Sequence, residues 1–146
     1  MQADPFGNLR EWGSALQTLD DLDSAGRLAE CQKGLIRILR FRENWRLREA
    51  VLQCVDKIET PSDDLMNQVF DLVCDENAYC ELRILASRAF RNLVRNQYRN
   101  AGRSRAYAAV ADRMRTLLQS TQPPIFSEAL RQCLGDVQEA SAIDRH

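Results

Sequence analysis

The stretch that decides the fold is residues 45–58, WRLREAVLQCVDKI. Its apolar side chains recur at the three- and four-residue intervals of one helical face, not in the alternation of a half-buried strand. These side chains are Leu47, Ala50, Val51, Cys54, Val55 and Ile58. Asn44 just before the stretch is a favourable helix N-cap, and Pro61 follows shortly after it. The stretch therefore predicts an amphipathic helix that buries one face.

The pattern of this helix recurs twice downstream, at shifts of 35 and 79 residues. The first shift superimposes the Leu-Arg pair at 47–48 on the Leu-Arg pair at 82–83. The second superimposes Gln-Cys at 53–54 on Gln-Cys at 132–133. Each recurrence follows another amphipathic helical stretch, and units of two helices at this spacing are typical of alpha-solenoids. The sequence thus predicts three stacked helix pairs.

The Leu-Arg pairs, each followed by small and apolar residues, resemble the apolar-Arg pair in the second helix of HEAT and armadillo-like repeats. The resemblance covers residues 24–139 and implies an all-α, short alpha-alpha superhelix. The sequence departs from the family pattern where Arg46 and Glu81 replace the Asp expected before the pair. The third unit has Phe126-Ser127 where Leu-Arg is expected. Because helical repeats have many functions, the resemblance predicts a fold and not one activity.

The predicted organisation is a single domain over residues 1–146 with about seven helices. Residues 1–23 form an N-terminal capping helix, 24–139 three helix pairs, and 140–146 a flexible tail. The alternative fold is an up-and-down helical bundle. A superhelix requires the third helix to contact the fifth and the fifth to contact the seventh, whereas a bundle brings the first against the seventh.

The N-terminal part carries weaker signals. We expect residues 1–7 to be loose and Asn8 to cap a first helix over 9–19. Trp12 is expected to lie in the core, with an acidic turn over 20–23. Gly34 lies within the second predicted helix, where a close approach of another segment or simple tolerance would explain it.

Composition limits the possible functions. The chain has 146 residues, 45% hydrophobic and 28% charged, with a net charge of −1, as in a soluble globular protein. We find neither a signal peptide nor a membrane-spanning stretch. Five cysteines, an odd number, and one histidine, His146 at the end, provide no zinc spacing and no Cys-His pair. We therefore expect a cytoplasmic protein that is not an enzyme and has no metal or cofactor.

The strongest functional signal is a basic stretch. Between Glu81 and Asp112 seven arginines occur without one acidic residue, so this segment carries a charge of +7. Spacings of three and four residues place four of them on one helical face. The predicted partner-binding residues are Arg88, Arg91, Arg95, Arg99 and Arg103, together with Trp45 at the start of the central helix.

Three interpretations of this basic face remain open. It could neutralise the acidic fourth helix, or bind a protein partner with an acidic segment. It could also bind nucleic acid, with Tyr98 and Tyr107 stacking on bases. The function predicted from the sequence is a non-catalytic protein-interaction or scaffold module, monomeric or weakly dimeric. A nucleic-acid-binding helical repeat is the alternative.

Overall fold

A computed structural model describes residues 4–101 and 107–144, except the side chains of 100, 101 and 141–144. This part of the chain is all-helical, without a β-strand, as predicted. Its α-helices are α1 (Trp12–Ser24), α2 (Gln32–Arg40), α3 (Trp45–Cys54), α4 (Asp63–Cys74), α5 (Cys80–Ala101), α6 (Ala108–Gln119) and α7 (Pro124–Asp144). Short 3-10 turns occur at Leu28–Cys31 and Val55–Lys57. No helix among the described residues is long and apolar enough to cross a membrane.

Two helix starts follow directly from the capping residues in the sequence. The Asn44 side chain accepts hydrogen bonds from the backbone N–H groups of Arg46 and Leu47, at 2.9 and 3.2 Å. The Ser62 hydroxyl accepts one from the N–H of Leu65 at 3.1 Å. Both caps satisfy donors that a helix leaves unpaired at its start. The first residue of α3 therefore coincides with the prediction, whereas the helix ends at Cys54 and a 3-10 turn follows in place of its predicted last residues.

The first helix begins and ends later than predicted. Asn8 forms a local turn by accepting from the N–H of Arg10, and α1 starts only at Trp12. The acidic residues 20–23 belong to the helix and do not form a turn. The stop signal is Gly26 (φ +68°), where a Schellman motif joins the N–H of Arg27 to the carbonyl of Leu22.

Residues 4–9, the N-terminal strap, pack against α2 although residues up to 7 were expected to be loose. Phe6 is buried, and a Cβ atom on Gly34 would lie 2.7 Å from its ring. The Asp4 carboxylate accepts from Arg37 Nε at 2.6 Å and Nη2 at 2.9 Å. This contact lowers the pKa of the Asp4 carboxyl from its usual value of 3.8. Gly34 is therefore the place where the strap approaches α2 closely.

Trp12 lies on the surface, with 43% of its area exposed, so its predicted place in the core is wrong. Helix α1 turns Ala15 and Leu19 inward instead. The strap also contributes a buried aromatic side chain, that of Phe6. The core at this end of the chain is therefore formed without Trp12.

The C-terminal helix is longer than predicted. The sequence placed the end of the last helix at residue 139 and a flexible tail over 140–146. Helix α7 instead continues to Asp144, and Ala140 is buried. The predicted tail is therefore helical through residue 144, and its last two positions lie outside the described residues.

Most helices pack on the α-helix that comes two positions later in the chain. Helix α1 packs on α3, α2 on α4, α3 on α5, and α5 on α7. Within the predicted pairs, α2 contacts α3, α4 contacts α5, and α6 contacts α7. The predicted contacts of the third helix with the fifth and of the fifth with the seventh are confirmed. Helix α5 lies at the centre and contacts α3, α4 and α7.

The two Leu-Arg pairs occupy equivalent places. Arg48 Nε donates to the carbonyl of Leu39, the second-last residue of α2, at 2.9 Å. Arg83 Nε donates to the carbonyl of Val73, the second-last residue of α4, also at 2.9 Å. Both arginines are buried. Each arginine thus satisfies a carbonyl at the end of the preceding helix, which such ends leave unpaired.

The position aligned on Cys54 is a small slot in the core. Cys54, Ala89 and Cys133 occupy it at the two repeat shifts, and all three are buried. Burial raises the pKa of the Cys54 and Cys133 thiols to about 12. Because the thiolate is the nucleophilic form, these cysteines are packing residues.

Candidate functional site

Among the described residues, an open groove of about 680 Å³ lies where the first turns of α3, α5 and α7 meet. Three large apolar side chains stand around it: Trp45 opens α3, Tyr79 precedes α5, and Ile125 is the second residue of α7. Their exposed fractions are 48%, 67% and 65%, respectively. We call this feature, with these three residues, the aromatic groove. Apolar side chains clustered on a surface in this way usually mark a contact with another molecule.

The rest of the lining combines apolar and charged side chains. Leu82, Ile84 and Leu85 of α5 contribute the remaining apolar surface. Glu49 of α3 and Glu81 and Arg88 of α5 are the charged residues of the lining. The surface is therefore mainly hydrophobic, with acidic groups on α3 and at the start of α5 and a cation about two turns further along α5.

Tyr79 and Ile125 were missed by the sequence interpretation, although a signal for them was present. The repeat shifts align Trp45 with Cys80 and Pro124, each one residue away from the exposed apolar side chain. A comparison of the three units that tolerates a shift of one residue finds a large apolar side chain at or next to the start of each second helix. Such a comparison identifies the three residues as equivalent, whereas their meeting in one groove depends on how α3, α5 and α7 pack together.

The predicted basic row is divided by the tertiary structure. Arg88 lines the aromatic groove together with Trp45, so two predicted binding residues are brought together. Arg91 and Arg95 instead face α7, where both Nε atoms contact Asp136 Oδ2, at 2.6 and 3.0 Å. The two arginines thus share one carboxylate, which offsets one of their two positive charges within the molecule. For these two arginines the acid is on α7, and not among the acidic residues of α4 that the sequence suggested.

Neither Arg99 nor Tyr107 lines the aromatic groove. Arg99 is exposed and lines a hollow of about 410 Å³ with Tyr98 and Asp136. Arg103 lies outside the described residues. Tyr107, expected to stack on bases, is fully buried, and its hydroxyl donates to Gln97 Oε1. Tyr107 is therefore a core residue that connects the start of α6 to α5.

Other chemistry is sparse in the described part of the chain. The described residues include no group of three or more His, Cys, Asp or Glu side chains that could hold a metal ion. The cysteines are free thiols, and Cys31, Cys54 and Cys133 are buried. The aromatic groove is therefore the feature on which we base a function.

No protein-family model, curated protein or solved structure significantly matches this chain.

Proposed function

We propose that this chain is a non-catalytic protein-interaction module, built as a short alpha-alpha superhelix of the HEAT or armadillo type. The aromatic groove is its docking surface for a protein partner. The module acts in the cytoplasm, as a monomer or weak homodimer.

Two kinds of observation support the superhelix: the contacts between its helices, and the matching roles of residues at equivalent positions of the units. Contacts between α3 and α5 and between α5 and α7 are those of helix pairs stacked in layers. The matching hydrogen bonds of Arg48 and Arg83 are what a repeated unit produces. The shared slot of Cys54, Ala89 and Cys133 extends the equivalence to the third unit.

One observation carries the docking function: Trp45, Tyr79 and Ile125 are largely exposed around a single groove. Trp and Tyr are enriched among the residues that contribute most to binding energy at protein interfaces, where both their apolar bodies and their polar groups are used. The lining also includes Arg88, a charged group that can select a partner by its sign.

Nucleic-acid binding has weaker support. Arg91 and Arg95 are engaged with Asp136, and Tyr107 is buried, which removes three of the residues that favoured it. Phosphate binding needs cations that are free to contact phosphates and so displace the counterions condensed on the nucleic acid. The aromatic groove is therefore better suited than the basic face to bind a partner.

Site-specific photo-crosslinking in cells that make the protein tests this function. A photoreactive phenylalanine analogue placed at Ile125 should yield a discrete protein adduct, identified by mass spectrometry. The double substitution Trp45→Ala/Tyr79→Ala should abolish that adduct, because it removes the other two exposed apolar groups of the groove.

Trp12 provides the matched control, since it is a tryptophan of similar exposure on α1. The photoreactive group at Trp12 should not yield the same adduct, and Trp12→Ala should leave the Ile125 adduct unchanged. An adduct that nuclease removes would support nucleic-acid binding instead. Identical adducts from both positions would contradict the docking function of the groove.

A further inference from the structure

We propose that the aromatic groove binds a two-turn amphipathic helix of a partner protein. The helix places an acidic residue against Arg88 and a basic residue against Glu81. This inference rests on the proposed function and specifies the chemistry of the partner.

The size of the groove sets the length of the segment. Glu81 and Arg88 are seven residues apart on α5, which corresponds to about 10 Å along a helix. A ligand helix that spans this distance has about two turns. Nine residues line the groove, whereas a stable interface between two folded proteins takes about 20–30 residues a side. The groove therefore suits a short segment better than a second copy of this chain.

The backbone of the groove favours a helical ligand. The lining side chains come from α3, α5 and α7 or, for Tyr79, from the residue just before α5. Beyond the N–H groups of the first turns, the main-chain groups of these helices are hydrogen-bonded internally, so the walls offer mainly side chains and no open strand edge. An extended ligand gains main-chain bonds only at such an edge, whereas a helix satisfies its own backbone before it binds. Apolar residues at positions i, i+3 or i+4, and i+7 would contact the apolar lining.

The charged residues of the groove predict which charges the ligand carries and in which direction it binds. Within the described part of the chain, neither Arg88 nor Glu81 has an ion-pair partner, whereas Arg91 and Arg95 share Asp136. Seven residues apart on α5, the two groups lie on the same helical face. A ligand with an acid at one end and a base at the other pairs with both groups, and the reversed ligand meets two like charges. This predicts selectivity for one orientation.

Selection from a display library of random peptides on the immobilised protein tests the inference. Wild-type protein should enrich amphipathic sequences with the helical spacing and a conserved Asp or Glu at one end. Selection on the Arg88→Glu variant should enrich Lys or Arg at that same position. Peptides selected on wild type should bind Arg88→Glu about 10-fold more weakly or worse, because attraction becomes repulsion.

The outcomes separate this inference from the function on which it rests. Some selected peptides could bind only when Trp45 and Tyr79 are present, yet lack helical spacing or bind equally well when the charge of residue 88 is reversed. Such peptides would overturn the inference and leave the docking function standing. Peptides that bind the Trp45→Ala/Tyr79→Ala variant as well as wild type contradict both. Failure to select any peptide, or a stable dimer in analytical ultracentrifugation that this double variant abolishes, also overturns the inference. The Trp12→Ala variant should behave like wild type throughout.

Discussion

At the scale of single residues, the most informative side chains are the two buried arginines. Arg48 and Arg83 each hold a carbonyl at the end of the preceding helix. The Arg83 guanidinium also lies over the Phe126 ring, 4.2 Å from its centroid, and its Nη2 atom is buried with no hydrogen-bond partner among the described residues. The aromatic face partly compensates this buried cation. Arg83 thus connects α4, α5 and α7 through one side chain.

Replacing Arg48 by Met should lower the free energy of unfolding by about 1–3 kcal/mol, because the buried Leu39 carbonyl loses its donor while most of the packing volume remains. Arg83→Met should cost a similar amount if the two positions are equivalent. Urea unfolding followed by circular dichroism measures both values. Arg46→Met is the control: Arg46 is an exposed residue of α3, and its loss should change stability by no more than about 0.5 kcal/mol. Equal costs for Arg46 and Arg48 would contradict the role of the buried hydrogen bond.

At the scale of elements, the N-terminal strap shows how one segment depends on another. The strap is held by the Phe6 ring over Gly34 and by the ion pair of Asp4 with Arg37. Arg37 Nη2 also donates to the carbonyl of Gly7 at 2.8 Å. Glycine usually weakens a helix by up to about 1 kcal/mol. In α2 its missing side chain makes room for the strap.

Gly34→Ala should therefore destabilise the wild-type protein, by about 1–3 kcal/mol, because the new methyl group forces the buried Phe6 ring to move. In a Phe6→Ala background the same change should cost clearly less, because the ring is gone, the gain in helix propensity remains, and only the Asp4 Oδ1 atom still lies 2.9 Å from the new methyl group. A double-mutant cycle from denaturant unfolding measures this coupling. Gly13→Ala on α1, where nothing lies within 4 Å, should have the same effect in both backgrounds. Additive effects of Gly34→Ala and Phe6→Ala would show that the strap does not occupy this position.

At the scale of the whole molecule, the seam between α5 and α7 determines which arginines of α5 are paired within the molecule. The basic row runs along α5, and Asp136 of α7 takes up two of its central members. Arg91 Nη1 also donates to Gln132 Oε1 at 3.2 Å. The packing of α7 thus offsets part of the positive charge of a row that is uniformly basic in the sequence. Arg88 stays available to the aromatic groove.

Asp136→Asn should increase the affinity for random single-stranded DNA, because it releases two arginines from their shared carboxylate. If both then contact phosphates, the slope of log binding constant against log salt should steepen by up to about 1.4, from about 0.7 per contact. Fluorescence anisotropy at several salt concentrations measures the slope. Asp112→Asn, which frees Arg115 on the exposed face of α6, adds at most one such contact and serves as the control. Strong wild-type binding that Asp136→Asn leaves unchanged would favour the nucleic-acid alternative.

Local chemistry was enough to predict much of this molecule. The caps at Asn44 and Ser62 and the periodicity of α3, α4 and α5 act within a few residues, so the all-α class, the number of helices and most inward faces could be predicted. Pairings between distant residues could not. The contact of Phe6 with Gly34, the ion pair of Arg91 with Asp136, and the joining of Trp45 with Ile125 depend on which helices pack together. Such packing is set by the burial of whole faces and by the distances between charges, which no local sequence pattern contains.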